Sequence, residues 1–303
     1  MRFNPKATID KGGVRDAGRG RSGGGLQGLP IPSGAAGGGI GGVILIIIIF
    51  LVVQFAGGGD GGGGTGTDTA TDRYNECKTG ADANESADCA RELVEDSLRA
   101  YWESTLQQQT GTAFEATEIV TFTEAVSTGG CGSASSAVGP FYCPLDKTIY
   151  LDSTFFADVL EGQLGGSGGD FVEPYVLAHE YGHHIQNLLG TMGKVKTQQG
   201  PDSDAVRLEL QADCYAGMWT KGAMSTTDAK GVKIFDVVDR ADIEEAIDSA
   251  KAVGDDRIQE ASGGEVDPEG WTHGSAKQRV AWFETGLAAK SIDACDTFSA
   301  TQL

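Results

Sequence analysis

His179-Glu180-Tyr181-Gly182-His183 is the stretch on which the reading of this chain turns. At 3.6 residues per turn, positions i and i+4 lie one above the other, so a helix here presents two imidazoles to one metal ion. Glu180, one residue round from the first histidine, can reach a water on that ion without binding the metal itself. Zinc lowers the pKa of such a water to about 7 and polarises a carbonyl, while the carboxylate takes the proton and passes it to a leaving amine. Hydrolysis of a peptide bond needs those groups. The surroundings predict the helix: Asp170 and Glu173 have capping-box spacing, and Pro174 falls in the first turn. Val172, Val176, Ile185, Leu188 and Leu189 form an apolar stripe that Gly190 ends.

Two histidines do not complete a zinc site, and the chain has only four. Leu189 occupies the place where one class of zinc peptidases carries its third histidine, six residues beyond the second. His184 points about 100° away from His183, which predicts a supporting or surface imidazole. A carboxylate from a later helix is the better third ligand. Glu209 and Asp213 are again i and i+4, beside Ala212, Ala216 and Gly217, which are small enough to let their helix approach closely. Glu209 is assigned to zinc and Asp213 to the N–H of a ligating imidazole, whose tautomer it would fix; the opposite assignment and a solvated acidic face for both are the alternatives. His273 precedes a helix that Ser275 or Thr272 can cap. It is read as a hydrogen-bond donor to a tetrahedral oxyanion, with Arg279 anchoring Asp213 or another carboxylate; the plain alternative is a core histidine and a structural arginine.

Composition sets the frame. The chain has 303 residues, 40% apolar and 22% charged, and its glycine is concentrated in residues 1–42 and 57–66. These two stretches read as unstructured. Between them, Val43 to Val53 is an unbroken apolar run that extends through Ile40 and Ala56 to seventeen residues, predicting one transmembrane helix at 40–56. Six basic residues against two acidic ones precede it, which predicts a cytoplasmic tail at 1–39 and an extracytoplasmic domain at 73–303 behind a Gly-rich linker at 57–72. A cleaved signal ending near Ala56 is the competing reading, giving a secreted domain. Beyond residue 39 the chain carries seventeen basic residues against forty-one acidic ones, an acidic surface that argues against nucleic acid as a partner.

The exported part reads as α+β. Helices are expected over 86–109, 155–164, 201–224, 237–253 and 275–288, and strands over 117–126 and 147–152. Cys131 to Pro144 has too much Gly, Ser and Pro for regular structure, so a loop tied by a disulfide is expected there. Six cysteines allow fifteen pairings. Proximity favours Cys77 with Cys89 and Cys131 with Cys143, leaving Cys214 for Cys295.

Several stretches together resemble the bacterial neutral zinc metallopeptidases. They are the basic tail with its single expected span, Gly139-Pro140-Phe141-Tyr142-Cys143-Pro144, Tyr150-Leu151-Asp152, His179 through Gln186, Arg207 through Cys214, and Thr272-His273-Gly274-Ser275 with Gln278-Arg279. The resemblance implies a zincin-like fold, one catalytic zinc and peptidase activity on a peptide or protein substrate. The Glu-x-x-Ala-Asp pattern is also similar to that of membrane zinc peptidases of the CAAX-processing and heat-shock type, in which that Glu binds zinc; Glu209 matches it. By the same resemblance, the strand at 147–152 is expected at a sheet edge, pairing with extended substrate.

Two readings of other classes compete. Gly165-Gly166-Ser167-Gly168-Gly169 formally matches the nucleophile elbow of serine hydrolases, with His273 downstream, although the preceding residues look helical. An inactive zincin-type scaffold that binds partners at the cell envelope is the other.

Overall fold

Ile119 to Phe122, four residues of the strand Glu118–Thr123, are all buried, and this strand is the spine of the molecule. A strand covered on both faces reads as a continuous run rather than an alternation, and parallel neighbours go with such burial. The computed structural model describes residues 1–20 and 71–303. Within them the strands are β1 (Arg2–Phe3), β2 (Val14–Arg19), β3 (Glu118–Thr123), β4 (Ala125–Ser127), β5 (Ser133–Ser135), β6 (Phe141–Cys143), β7 (Thr148–Asp152) and β8 (Phe235–Val237). The main sheet has the order β2-β3-β7-β6, with β3 parallel to β2 and β7, and β6 antiparallel to β7.

Successive side chains of β3 point to opposite faces, and each face has its own cover. Ile119 joins Ile149 and Leu151 against the helices, whereas Val120 and Phe122 pack with Val126, Ala134, Phe141 and Tyr150. The second cover comes from the segment expected to be an irregular loop. It forms the β4–β5 hairpin and then strand β6, and the Cys131–Cys143 bridge ties hairpin to strand. Strand β7 is not an edge: it lies between β3 and β6, and the edge strand beside the metal helix is β6.

The helices are α1 (Gly80–Ala83), α2 (Ala87–Thr110), α3 (Val172–Leu188), α4 (Asp204–Gly222), α5 (Arg240–Ala252), α6 (Asp255–Ala261) and α7 (Ala276–Ala288). The helix expected at 155–164 is a short π-helix, Phe156–Glu161, with i to i+5 bonds from Gly162 N to Ala157 O and Leu164 N to Val159 O. Every residue of α3 from Leu177 to Gln186 is buried, so the helix is central rather than amphipathic. Asp170 does not cap it. Phe171 holds the cap position, its N–H donates to Glu245 of α5, and Asp170 instead faces the amino group of Met1 at 2.5 Å.

Close helix contacts are made by small residues. A Cβ on Gly182 of α3 would meet the Ala212 backbone of α4 at 3.0 Å. Gly217, expected to face the metal helix, instead lies against Gly286 of α7, where a Cβ on Gly286 would stand 2.0 Å from the Cys214 carbonyl. The bridges Cys77–Cys89 and Cys214–Cys295 complete the disulfide set among the described residues.

The amino-terminal expectation is corrected. Residues 1–20 are not a separate tail: β2 is a strand of the main sheet, and Phe3 and Ala7 are buried in the main core. Segments on the two sides of residues 40–56 therefore belong to one body, whereas a single membrane crossing would part them. Among the described residues no helix is long and apolar enough to cross a membrane. The run at 40–56 and the linker up to residue 70 lie outside the described residues. Among the described residues the fold is thus α+β, and the single-pass membrane anchor expected at 40–56 is not supported.

Candidate metal centre

Helical spacing brings His179 and His183 to one face of α3, with ring centroids 4.8 Å apart. Helix α4 crosses behind them at the Gly182–Ala212 contact and delivers Glu209. His179 Nε2 lies 3.2 Å from Glu209 Oε2, and His183 Nε2 lies 3.5 Å from Glu209 Oε1. A tetrahedral ion with bonds of 2.0–2.1 Å separates its ligand atoms by about 3.3–3.4 Å, so this donor set fits zinc. All three residues are buried, and two imidazoles with one carboxylate leave a fourth position for water or substrate.

The remaining imidazole nitrogens are also held. Asp213, fully buried one turn beyond Glu209, accepts from His179 Nδ1 at 2.8 Å and from Tyr175 Oη at 2.7 Å. Arg279 of α7 grips the same carboxylate with two nitrogens, at 2.8 and 2.9 Å. Burial opposes charge on Asp213, yet Arg279 and His179 win and hold its pKa down to about 2. Burial likewise opposes protonation of His179, but the charge and hydrogen bond of Asp213, with a further bond to Glu209, raise it to about 9. Glu209 stays ionised for the same kind of reason: against burial, His183 and His179 push its pKa well below the ordinary value.

Glu180 is 7% exposed on the same helix turn. Burial raises its pKa, against the two histidines, which moves a carboxylate toward the range useful to a general base. His273 stands on the loop before α7. Its Nδ1 lies 2.9 Å from Thr272 Oγ1 and 3.3 Å from Asp255 Oδ1, and its charge acts on Glu209. Asp255 Oδ2 also accepts the backbone N–H groups of Thr272, His273 and Gly274 at 2.7–2.9 Å, which fixes the loop. Desolvation lowers the His273 pKa, but the Asp255 hydrogen bond and the Glu209 charge raise it overall.

Sequence reasoning named Glu180, His179, His183, Glu209, Asp213, His273 and Arg279, and the fold brings these residues to one locus. It missed Tyr175, Gln186 and Asp255. The first two sit one turn from His179 and His183 on α3 and were readable from that spacing, whereas Asp255 lies in α6 with no local signal. His184 is a buried support: its Nε2 donates to the Glu115 carbonyl at 2.7 Å, and Tyr142 Oη of β6 lies 3.0 Å from its Nδ1. The serine hydrolase arrangement is not assembled. Ser167 Oγ donates to Asp248 at 3.0 Å on an exposed loop, while His273 is committed to Thr272 and Asp255.

Comparison with known proteins agrees with this geometry. Residues 4–298 match the model of the family described as "Putative neutral zinc metallopeptidase". An uncharacterized protein of Mycobacterium tuberculosis strain H37Rv, Rv2575, is 47% identical over 231 residues, 76% of each chain. The uncharacterized protein YpfJ of Escherichia coli K12 is 39% identical over 197 residues, covering 63% of this chain and 64% of its own. No solved structure matches the chain.

Proposed function

The chain belongs to the neutral zinc metallopeptidase family, and from that premise we propose that it is a zinc-dependent endopeptidase of zincin-like fold with Glu180 as its general base. The observation that carries the reading is the convergence of His179, His183 and Glu209 at zinc-ligand spacing, with Glu180 on the same buried turn. When bound, zinc supplies Lewis acidity that polarises the scissile carbonyl and makes water a competent nucleophile near neutral pH.

The protein's own groups do the rest. Glu180 accepts the proton of the attacking water and returns it to the leaving nitrogen, a transfer that its burial favours. His273, oriented by Asp255 through Nδ1, offers Nε2–H to the oxyanion that develops on the carbonyl oxygen. Arg279 and Asp213 keep His179 in the tautomer whose Nε2 lone pair faces the metal position. The substrate class proposed is a peptide or protein chain.

Digestion of a peptide mixture by the full chain tests the reading. Cleavage should stop with a zinc chelator and return on adding zinc. Cleavage indifferent to chelation contradicts the metal centre, and zinc-loaded protein inert on a broad peptide library points instead to a binding role.

A further inference from the structure

Behind the metal-ligand face runs a line of buried amides that the peptidase reading leaves unused. His183 Nδ1 lies 2.8 Å from Gln186 Oε1, one turn along α3. Gln186 Nε2 donates to the Leu208 carbonyl at 2.6 Å and to Gln211 Oε1 at 3.2 Å, both on α4. Gln211 Nε2 in turn donates to the Cys295 carbonyl at 2.9 Å, and Cys295 is bonded to Cys214. Gln186 and Cys295 are fully buried, and Gln211 is 5% exposed.

The partners fix the direction of every bond in this line. A backbone carbonyl only accepts, so the Gln186 atom facing Leu208 O must be the amide nitrogen. Its oxygen therefore faces His183, and an oxygen can only be met there by Nδ1–H. That tautomer leaves a lone pair on Nε2, the nitrogen 3.5 Å from Glu209 Oε1. The same logic at Cys295 O turns the Gln211 oxygen toward Gln186. Leu208 directly precedes Glu209, so Gln186 also ties the helix bearing both imidazoles to the residue before the carboxylate ligand. His179 is held differently, by a carboxylate clamped by arginine.

We propose that Gln186 and Gln211 are positioning residues for the ligand His183, a relay that pins its tautomer and ring plane to α4 and to the disulfide-anchored carboxyl-terminal segment. The proposal rests on the metal-centre reading but concerns affinity for the ion rather than turnover. Outer partners of ligating histidines are worth about 10- to 100-fold in metal affinity. Gln186, in direct contact with His183, carries the larger share, and Gln211 acts through it.

The test is zinc affinity of the full-length protein, measured by competition with a chromophoric chelator, together with the visible spectrum of its cobalt-substituted form. Gln186→Leu should weaken zinc binding about 10- to 100-fold and alter the cobalt bands. Gln211→Met, remote from the ion and of similar length, should weaken it by a smaller factor, about 3- to 10-fold, and keeps the proposal testable if Gln186→Leu does not fold. The double variant should be little worse than Gln186→Leu alone, because the two side chains act in series. Wild-type affinity and an unchanged cobalt spectrum in folded Gln186→Leu, or in folded Gln211→Met, would overturn the relay, as would additive losses. A wild-type protein that binds no zinc would overturn both this and the peptidase reading. One that binds zinc without cleaving peptides would fail only the latter, since the affinities still decide the relay.

Discussion

Asp213 Oδ1 sits 2.8 Å from His179 Nδ1, about one helical turn beyond the Glu209 that reaches the other nitrogen of the same ring. One helix thus holds a single imidazole at both ends, with one carboxylate facing the metal position and the other facing Arg279. The two acids are chemically alike but differ in what their removal leaves behind.

Glu209→Ala should therefore lose zinc almost entirely, whereas Asp213→Asn should retain it with affinity reduced about 10- to 100-fold. Arg279→Ala strands a fully buried carboxylate and should cost on the order of 3–5 kcal/mol of stability. Metal analysis of the first two variants and denaturant unfolding of the third check these outcomes. Equal zinc loss in Glu209→Ala and Asp213→Asn would contradict the assignment.

His273→Ala should lower kcat by about 10²- to 10³-fold while zinc content stays near that of the parent, because the side chain is assigned to the oxyanion and not to the metal. Steady-state kinetics with metal analysis on the same sample checks it. Loss of metal in step with activity would return His273 to a structural role.

Gly182 faces the Ala212 backbone and so sets the distance between the two ligand-bearing helices. A Cβ there needs a shift of a few tenths of an ångström, and larger side chains need more. Gly182→Val should lower stability by about 1–3 kcal/mol and weaken zinc binding, with Gly182→Ala milder on both counts. Thermal unfolding and metal titration of both variants report the two effects.

Part of the alkaline sensitivity should come from α2, outside the metal centre. Glu95 is buried among Asp96, Asp10 and Glu92, and burial, with help from these acids and against Arg99, raises its pKa from 4.5 to about 8. Burial likewise brings Asp96 to about 6, against Asp10 N–H and Arg99. Both groups hold their protons more tightly when folded, so their contribution is whole below the unfolded values and is lost as pH rises through the folded ones. Melting temperature should fall between about pH 5 and 8, by on the order of 5–10 °C, and Glu95→Gln should flatten the slope.

How much of this was legible depends on the range of each interaction. The metal helix, the Glu209–Asp213 pair and the Ser275 cap are local patterns in one or two turns, and the sequence displays them directly. The Ser275–Gln278 capping box is an instance. Local reading failed wherever a distant partner supplied what the neighbours lacked. Asp170 has capping-box spacing, but Glu245 from another helix meets the Phe171 N–H and frees Asp170 for Met1. The Gly- and charge-rich start of the chain has too few apolar residues to predict a strand. Val14 to Asp16 nevertheless finds a parallel edge in β3, more than a hundred residues on. Composition also suggested a single membrane crossing, which does not fit a strand pairing that puts residues from both sides of 40–56 in one sheet.

The central claim is that Glu180 moves the proton at a metal centre built by His179, His183 and Glu209. Glu180→Gln preserves the size of the side chain and removes its basicity. Zinc content and cleavage of a denatured protein should be measured together on this variant: the account predicts about one zinc per chain and a loss of cleavage of at least about 10²-fold. Undiminished hydrolysis in the zinc-loaded variant would contradict it.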